Sequence, residues 1–356
     1  MIDRLLEHLA GLVACDTQNP PREIDREHSI FRYLRSVLPE DFVVTETDYG
    51  IGRVNFLAVR GEPRILFNVH LDTVPNGEGW QYEPQAATVV GDRVYGRGTC
   101  DIKGAAAALL TIAESSSAPM ALLFSTDEEG ANGCCIREFT STFKGDEYEA
   151  VVVAEPTQCQ AITSHRGYLS VIGRFHGEAG HSSEARALTD NAIHAAANWA
   201  AEAVAIAGSY EGDERSCFNI GRIEGGIKSN VIADSAEVRW SARLPAGRSN
   251  DEFFDRITAP ANTMAVDWER PFSGPPLPAG GRDADAAHDF IRRCVLDSGG
   301  AVDFWTEASL FCDAGLPAIV LGPGNIEQAH IIDEWVAIEQ LEQVERIYRD
   351  LIERHG

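Results

Sequence analysis

The stretch GAAAALLTIAESSSAPMALLFSTDEE, residues 104–129, decides the fold. Its alanine-rich first part predicts a helix at 104–113, and the apolar run near its end predicts a buried strand at 121–125. Because strands alternate with helices here, the sequence predicts an α/β domain with a mostly parallel central sheet flanked by helices. The neighbouring segments extend this pattern, with strands at 54–59, 64–70 and 150–154 and helices at 5–13 and 31–38.

The pattern changes near residue 166. From there the predicted order is β-α-β-β-α-β, which is typical of a ferredoxin-like module. Its segments are a strand at 168–175, a helix at 189–205, strands at 218–223 and 236–244, a helix at 250–257 and a strand at 264–270.

A proline-rich segment at 271–278 then returns the chain. The remaining patterns predict a helix at 283–298, a strand at 318–321 and a helix at 338–352. We therefore expect a catalytic domain of residues 1–165 and 271–356, interrupted by an inserted lid or dimerisation domain of residues 166–270.

The composition argues against several functional classes. With 55 acidic and 30 basic residues, the net charge is −25. Such a charge disfavours nucleic acid, whose phosphates need a basic face, and an anionic membrane surface. The apolar runs fall short of the roughly 20 residues of a membrane span, and the N-terminus lacks the parts of a signal peptide. We expect a cytoplasmic protein that binds neither nucleic acid nor membrane.

The eight cysteines show no CxxC pair and no zinc-ribbon spacing. The adjacent pair Cys134-Cys135 leaves a redox device open. Reduced thiols that serve as small apolar side chains are the ordinary case in the cytosol, and we favour that interpretation.

Carboxylate and imidazole side chains follow the ends of several apolar runs. In open α/β sheets, sites form on the loops beyond the strand ends, so these side chains are candidates for one site. Neutral imidazole and carboxylate are ligands for Zn²⁺ or a similar first-row ion, and two ions that share a carboxylate can activate one water for hydrolysis. The sequence therefore predicts a metallohydrolase with candidate residues His70-x-Asp72, Asp101, Glu128-Glu129, Glu155 and His330.

Each motif taken alone has a simpler interpretation. His70 and Asp72 lie on one face of an extended segment, which suits a ligand with a carboxylate behind it, but for this motif alone a capped strand end is the simpler interpretation. Without a cation, the three neighbouring carboxylates of 127–129 would repel one another, which favours a metal site. The same residues also fit a solvent-exposed acidic loop. With a metal, one of the two glutamates in this run binds the ion and the other moves the proton. Glu155 and His330 also fit structural roles.

Two glycine-containing loops add alternatives. The loop at 96–104 precedes the alanine-rich helix, which leaves a phosphate or dinucleotide loop open. That interpretation is disfavoured, because the loop lacks a full GxGxxG and a GK[ST] ending, and Asp101 would repel phosphate. The loop at 177–183 precedes the long helix of the inserted module, so His181 and a helix N-terminus could stabilise an oxyanion. A serine N-cap with an incidental histidine fits that loop as well.

In this order, the motifs resemble those of the M20 family of di-metal aminoacylases and exopeptidases. The resemblance runs from His70 to His330 and, more loosely, over the whole chain. Within the family, the chain is most similar to the acetylornithine deacetylases, and closer still to their acetylcitrulline deacetylase branch across 219–230 and 301–311. The matching motifs are HLDTVP at 70–75, GRGTCDIKG at 96–104, DEE at 127–129, EPT at 155–157 and GHSS at 180–183.

The resemblance implies two divalent metal ions per subunit, Zn²⁺ or Co²⁺. It implies that His70 and Glu155 bind one ion and that Glu129 and His330 bind the other. Asp101 would bridge the two ions.

The resemblance also implies roles for five further side chains. Asp72 would orient His70, and Glu128 would be the general base and acid. His181 would come from the inserted domain and steady the tetrahedral oxyanion, in its own site or in that of the partner subunit across a homodimer. Asn230 and Arg243 would grip the free carboxylate of the substrate, for which an arginine is well suited.

The implied activity is deacetylation of N-acetylcitrulline or N-acetylornithine in arginine biosynthesis. Two departures from the family pattern stand out: Val69 replaces the usual glycine before His70, and the loop 305–309 differs on the substrate side. The net charge mildly favours a cationic substrate side chain, whereas the local resemblance favours a neutral ureido group. Another M20 activity, such as a dipeptidase or a succinyl-diaminopimelate desuccinylase, stays open. So does an inactive binding protein of the same fold.

Overall fold

The computed structural model describes residues 2–130, 135–142, 147–209, 216–279, 282 and 284–355. Cys134, one half of the adjacent cysteine pair, lies outside them, whereas Cys135 is buried. In the described part of the chain, no helix combines the length and the apolar character that a membrane span requires. The chain divides into a first unit of Met1–Ser164, Arg282–Val302 and Thr306–Gly356 and a second unit of His165–Gly281 and Asp303–Trp305.

The helices alternate with strands through most of the chain. Short single turns of other helix types occur at Thr99–Lys103, Ala185–Leu188, Ala259–Ala261 and Ile326–Gln328. The α-helices are α1 Ile2–Val13, α2 Ser29–Val37, α3 Gly104–Ser115, α4 Cys135–Ser141, α5 Ala192–Gly208, α6 Asn250–Thr258, α7 Asp285–Arg293, α8 Ala308–Asp313 and α9 Ile338–His355.

The strands form one large sheet in each unit and two small ones. They are β1 Val43–Asp48, β2 Val54–Arg60, β3 Ile65–His70, β4 Thr88–Val90, β5 Arg93–Tyr95, β6 Met120–Ser125, β7 Ala150–Val153, β8 Gly167–His176, β9 Gly180–His181, β10 Cys217–Gly225, β11 Val231–Ile232, β12 Ser235–Leu244, β13 Val266–Gly274, β14 Ala318–Val320 and β15 Trp335–Ala337.

The central sheet of the first unit has the order β1-β2-β6-β3-β7-β14. Strands β6, β3, β7 and β14 pair in parallel, and β1 and β2 add an antiparallel edge. Every residue of β3, β6 and β7 is buried, as expected of strands covered on both faces. This confirms the predicted mixed α/β class with a mostly parallel sheet.

Helix α3 is buried from Gly104 to Ala113 and packs between α1 and α9. Its alanines explain this position, because small side chains let neighbouring helices approach closely. The helix begins directly after the turn that carries Asp101, and that turn also packs against β3, so the buried helix positions Asp101 next to the strand that ends in His70.

The structure differs from the predicted helix at 283–298. Helix α7 ends at Arg293, where Val295 adopts a left-handed φ of 54° and the Leu296 N–H turns back to the Ile291 carbonyl oxygen at 3.0 Å. This is the hydrogen-bond pattern that closes a helix C-terminus, formed here without a glycine.

The hydrophobic pattern of the sequence did not predict several elements that are short or only partly buried. These are β1, α4, α8 and the small sheet of β15, β5 and β4.

The second unit is an antiparallel sheet of order β10-β12-β8-β13, with α5 and α6 packed on one face. Trp199 of α5 is fully buried against this sheet, in the cluster that includes Phe175 and Trp240. Helix α5 begins at Ala192 behind an Asn191 N-cap, so the alternative of a serine N-cap in the loop 177–183 is wrong. His181 lies in the short strand β9, which pairs with β11.

Candidate metal centre

Two groups of side chains in the first unit could each hold a metal ion. One consists of His70, Asp101 and Glu155, and the other of Asp101, Glu129 and His330. In each group the candidate ligand atoms all lie within 4.8 Å of one another. Asp101 belongs to both groups, so its two oxygens can face two neighbouring ions.

The distances around Asp101 define the centre. Its Oδ1 lies 3.0 Å from His70 Nε2, and its Oδ2 lies 3.1 Å from His330 Nε2. Glu155 Oε1 is 3.8 Å from His70 Nε2, and Glu129 Oε1 is 2.8 Å from His330 Nε2. Each imidazole therefore faces one oxygen of the shared carboxylate and one glutamate.

The sheet topology explains this convergence. His70 ends β3, Glu129 follows β6, and Glu155 follows β7. These three strands are parallel neighbours, so their carboxyl ends meet at one edge of the sheet. Asp101 comes from the turn before α3, and His330 comes from a late loop in which it adopts a left-handed φ of 60°. Such a conformation is uncommon for a residue other than glycine.

Asp72 supports the centre from behind. His70 Nδ1 lies 3.0 Å from the backbone oxygen of Asp72 and 3.6 Å from its carboxylate, so the backbone carbonyl is the acceptor that leaves Nε2 free as a ligand. The carboxylate instead accepts the backbone N–H groups of Glu128 at 3.3 Å and Glu129 at 3.0 Å. The Asn19 amide also donates to it, at 3.3 Å. Asp72 thus fixes the acidic loop as well as His70.

Glu334 is a buried residue that the sequence patterns did not single out. Its Oε1 accepts the N–H groups of Cys100 at 2.9 Å and Asp101 at 3.0 Å, and its Oε2 accepts Arg97 Nη1 at 2.7 Å. In a phosphate-binding loop, backbone N–H groups such as these would donate to the phosphate. Here they already donate to the Glu334 carboxylate, which rules out the nucleotide interpretation of 96–104. The sequence offers no local signal for Glu334, because the burial of Arg97, which requires an acidic partner, is seen only in the structure.

The electrostatics of the centre fit divalent cations. Burial raises the pKa of Glu155 well above its usual value, and the nearby Asp101 raises it further. Burial and the adjacent Glu129 do the same to the pKa of Glu128. Hydrogen bonds to Asp101 and then Glu129 raise the pKa of His330 to about 11. Carboxylates outnumber imidazoles here, and cations would relieve the cost of burying them ionised.

The loop 305–309 contributes a further buried acid, Glu307. The Ser125 hydroxyl donates to its Oε2 at 2.9 Å, whereas its Oε1 has no hydrogen-bond partner among the described residues. Burial, followed by the charge of Asp127, raises the pKa of Glu307 to about 8. The sequence marked this loop only as a departure from the family pattern.

The other candidate residues belong to the second unit. The Ser182 N–H donates to the Asn230 backbone oxygen at 3.2 Å, so the loops of His181 and Asn230 lie side by side. Arg243 lies in β12, opposite Tyr168 of β8, and its guanidinium carbon is 3.9 Å from the centre of the Tyr168 ring.

The sequence is similar to those of known deacetylases. The chain is 45% identical to the N-acetyl-L-citrulline deacetylase of Xanthomonas campestris pv. campestris, over 97% of this chain and 96% of that protein. It is 31% identical to the acetylornithine deacetylase of Aliivibrio fischeri, over 85% of each.

Solved structures share the fold at low sequence identity. An M20 family metallo-carboxypeptidase from Sulfolobus solfataricus matches with a TM-score of 0.74 and 14% identity, over 98% of each chain. A tripeptidase from Staphylococcus aureus matches with a TM-score of 0.72 and 18% identity, over 99% of this chain and 98% of that one. The model of the peptidase family M20/M25/M40 matches residues 66–354. The chain therefore belongs to the peptidase family M20/M25/M40.

Proposed function

We propose that the protein hydrolyses the acetamide bond of N-acetyl-L-citrulline, releasing acetate and the free amino acid, within arginine biosynthesis. The identity of 45% to an N-acetyl-L-citrulline deacetylase along nearly the whole chain supports citrulline over ornithine as the amino acid. N-acetyl-L-ornithine is the second substrate to test, because acetylornithine deacetylases are more distant relatives.

The observation that carries this proposal is the pair of donor groups joined at Asp101, with the half-buried Glu128 beside them. We propose that the two groups hold two divalent ions, Zn²⁺ or Co²⁺. When bound, such ions polarise a carbonyl oxygen and lower the pKa of a water molecule, which is the chemistry that amide hydrolysis needs.

Glu128 is the group that we propose to move the proton. It belongs to neither donor group, although its backbone is fixed by Asp72 next to Glu129. A carboxyl with a raised pKa is well suited to accept a proton from the attacking water and to return it to the leaving amine. His181 would donate a hydrogen bond to the oxygen that becomes negative during the attack.

Asn230 and Arg243 are proposed to bind the free carboxylate of the substrate. A planar guanidinium pairs with a carboxylate through two parallel hydrogen bonds, provided that its plane is oriented. The ring of Tyr168 lies under the guanidinium of Arg243 and supplies such an orienting surface.

We also propose a homodimer formed through the second unit. Strand β10 is an edge of its sheet, and exposed apolar residues occur on and beside this strand, such as Ile223 and Ile227. Exposed sheet edges and apolar patches are typical pairing surfaces. Sedimentation should give twice the chain mass, and a monomer at working concentration would contradict the proposal.

Co-expression can decide which subunit His181 serves. Glu128→Gln and His181→Ala should each be inactive alone. If His181 acts in the site of the partner subunit, hybrid dimers contain one site with both residues intact, and activity returns. If it acts in its own subunit, each site of the hybrid carries one defect and activity stays lost.

Acetate release from N-acetyl-L-citrulline and N-acetyl-L-ornithine, with Zn²⁺ or Co²⁺ and with a chelator, tests the proposed activity directly. We expect cleavage of the citrulline derivative to exceed that of the ornithine derivative and to stop with the chelator. Cleavage of dipeptides or N-succinyl compounds alone would contradict the substrate, and turnover that persists in the chelator would contradict the metal.

A further inference from the structure

The loop that carries His181 is held by its own side chains. The His181 N–H donates to Glu184 Oε1 at 2.7 Å, and Arg186 Nε donates to Glu184 Oε2 at 2.8 Å. Arg186 also donates to the backbone oxygens of Glu178 at 3.0 Å and Ala179 at 2.9 Å. With β9 paired to β11, these bonds fix the position from which the imidazole projects.

The imidazole has contacts of its own with Ser183. Nδ1 of His181 lies 3.3 Å from the Ser183 backbone nitrogen and 2.8 Å from the Ser183 hydroxyl oxygen. A backbone N–H can only donate, so Nδ1 accepts, and the hydroxyl can donate to the same nitrogen. In a neutral imidazole, a nitrogen that accepts carries no proton. In the neutral form of His181, this geometry therefore places the proton on Nε2.

We propose that Ser183 is a positioning residue that fixes the Nε2–H tautomer of His181. The Nδ1–H tautomer would point its proton at the Ser183 N–H, and the two hydrogens would repel each other. The inference about the tautomer depends only on the geometry of this loop. Its consequence for turnover rests on the proposed function, in which Nε2–H donates to the developing oxyanion, whereas a bare Nε2 would repel it.

The tautomer can be measured without any substrate. Long-range proton–nitrogen correlation spectra of the full-length protein, labelled with ¹⁵N-histidine, distinguish protonated from unprotonated ring nitrogens. The His181 signals are assigned by their loss in His181→Ala. We expect Nε2–H in the wild type and in Ser183→Ala, because alanine keeps the backbone N–H that faces Nδ1. Ser183→Pro, which removes that N–H, should raise the share of Nδ1–H.

Kinetics supply the second readout. Loss of one hydrogen bond to the ring should lower kcat of Ser183→Ala by roughly 2-fold to 10-fold, with KM little changed. Ser183→Thr should recover this loss. Ser182→Ala, which removes the same atom one residue earlier, should change neither the spectrum nor kcat.

The outcomes separate the inference from the proposed function. Wild-type His181 with the proton on Nδ1, or a Ser183→Pro spectrum that matches the wild type, would overturn the inference even if the enzyme is an active deacetylase. An unchanged kcat in Ser183→Ala would overturn the role of the hydroxyl in holding the ring. If no N-acetyl amino acid is cleaved, the proposed function fails, while the spectra still decide the role of Ser183.

Discussion

Glu334 holds the backbone of Asp101, since its Oε1 accepts the Asp101 N–H at 3.0 Å. The same carboxylate binds Arg97 through its other oxygen, and all three residues are buried. The late loop therefore supplies both the candidate ligand His330 and the acid that orients the shared carboxylate. The geometry of the centre depends on this loop as much as on the strand ends.

Replacement of Glu334 tests that dependence. Glu334→Gln keeps the shape but removes the charge that binds Arg97 and the two amides. Loss of such a supporting contact typically weakens metal affinity by about 10-fold to 100-fold. Metal content after dialysis and metal titration of activity measure the effect. Glu345→Gln is the matched control, because Glu345 is also buried and paired with an arginine, Arg349 at 2.6 Å. Equal metal retention in both variants would contradict the role of Glu334.

Glu128→Gln should leave the metals bound and remove turnover. Glutamine cannot accept the proton from water, and loss of a general base typically costs about 10²-fold to 10⁴-fold in rate. Metal analysis alongside kcat for N-acetyl-L-citrulline checks both parts of the expectation. Near-normal turnover would show that another group is the base.

Tyr168→Leu should weaken binding of the substrate carboxylate. Removal of the ring under Arg243 forfeits a cation–π contact, so KM should rise roughly 3-fold to 30-fold with kcat nearly constant. Tyr168→Phe keeps the ring and should behave like the wild type. Phe254→Leu is the control, since it removes a similar ring from Arg270 in the same unit. The carboxamide of the substrate should be insensitive to Tyr168→Leu, and an equal loss for acid and amide would refute the explanation.

Glu307 should make stability depend on pH. Its pKa rises from about 4.5 to about 8 on folding, so the folded protein keeps a proton that the unfolded chain releases between these values. This contribution is fully present below the unfolded pKa and is lost as the pH rises through the folded one. The free energy of unfolding of the wild type should therefore fall relative to Glu307→Gln between about pH 5 and about pH 9, by at most about 1.4 kcal/mol per pKa unit.

Urea unfolding with a chelator present measures this difference, since metal binding then contributes to neither protein. Parallel stability curves for the wild type and Glu307→Gln across this range would show that Glu307 ionises normally in the folded state.

The sequence predicted the parts of this centre that local patterns encode. His70, Glu129 and Glu155 could be selected because each follows an apolar strand, and parallel strands end at one edge. The structure brings these residues together with Asp101 and His330.

Contacts that depend on register or on a returning loop were out of reach of the sequence. The pairing of Arg243 with Tyr168 follows from the alignment of β12 with β8, which no local pattern reveals. Glu334 was missed because its partners lie in a loop far back in the chain. The end of α7 was missed because Val295 closes the helix where glycine is the usual signal.

His70 and His330 lie far apart in the chain, yet both contact the same carboxylate of Asp101. Ions bound there would cross-link the segments of the chain that carry these three residues. Bringing such remote segments together is entropically costly, and whatever binds only the folded state stabilises it. Ions bound at the centre would then stabilise the folded protein as well as support the reaction. Removing them should lower its resistance to heat and to proteases, even in a variant that cannot turn over substrate.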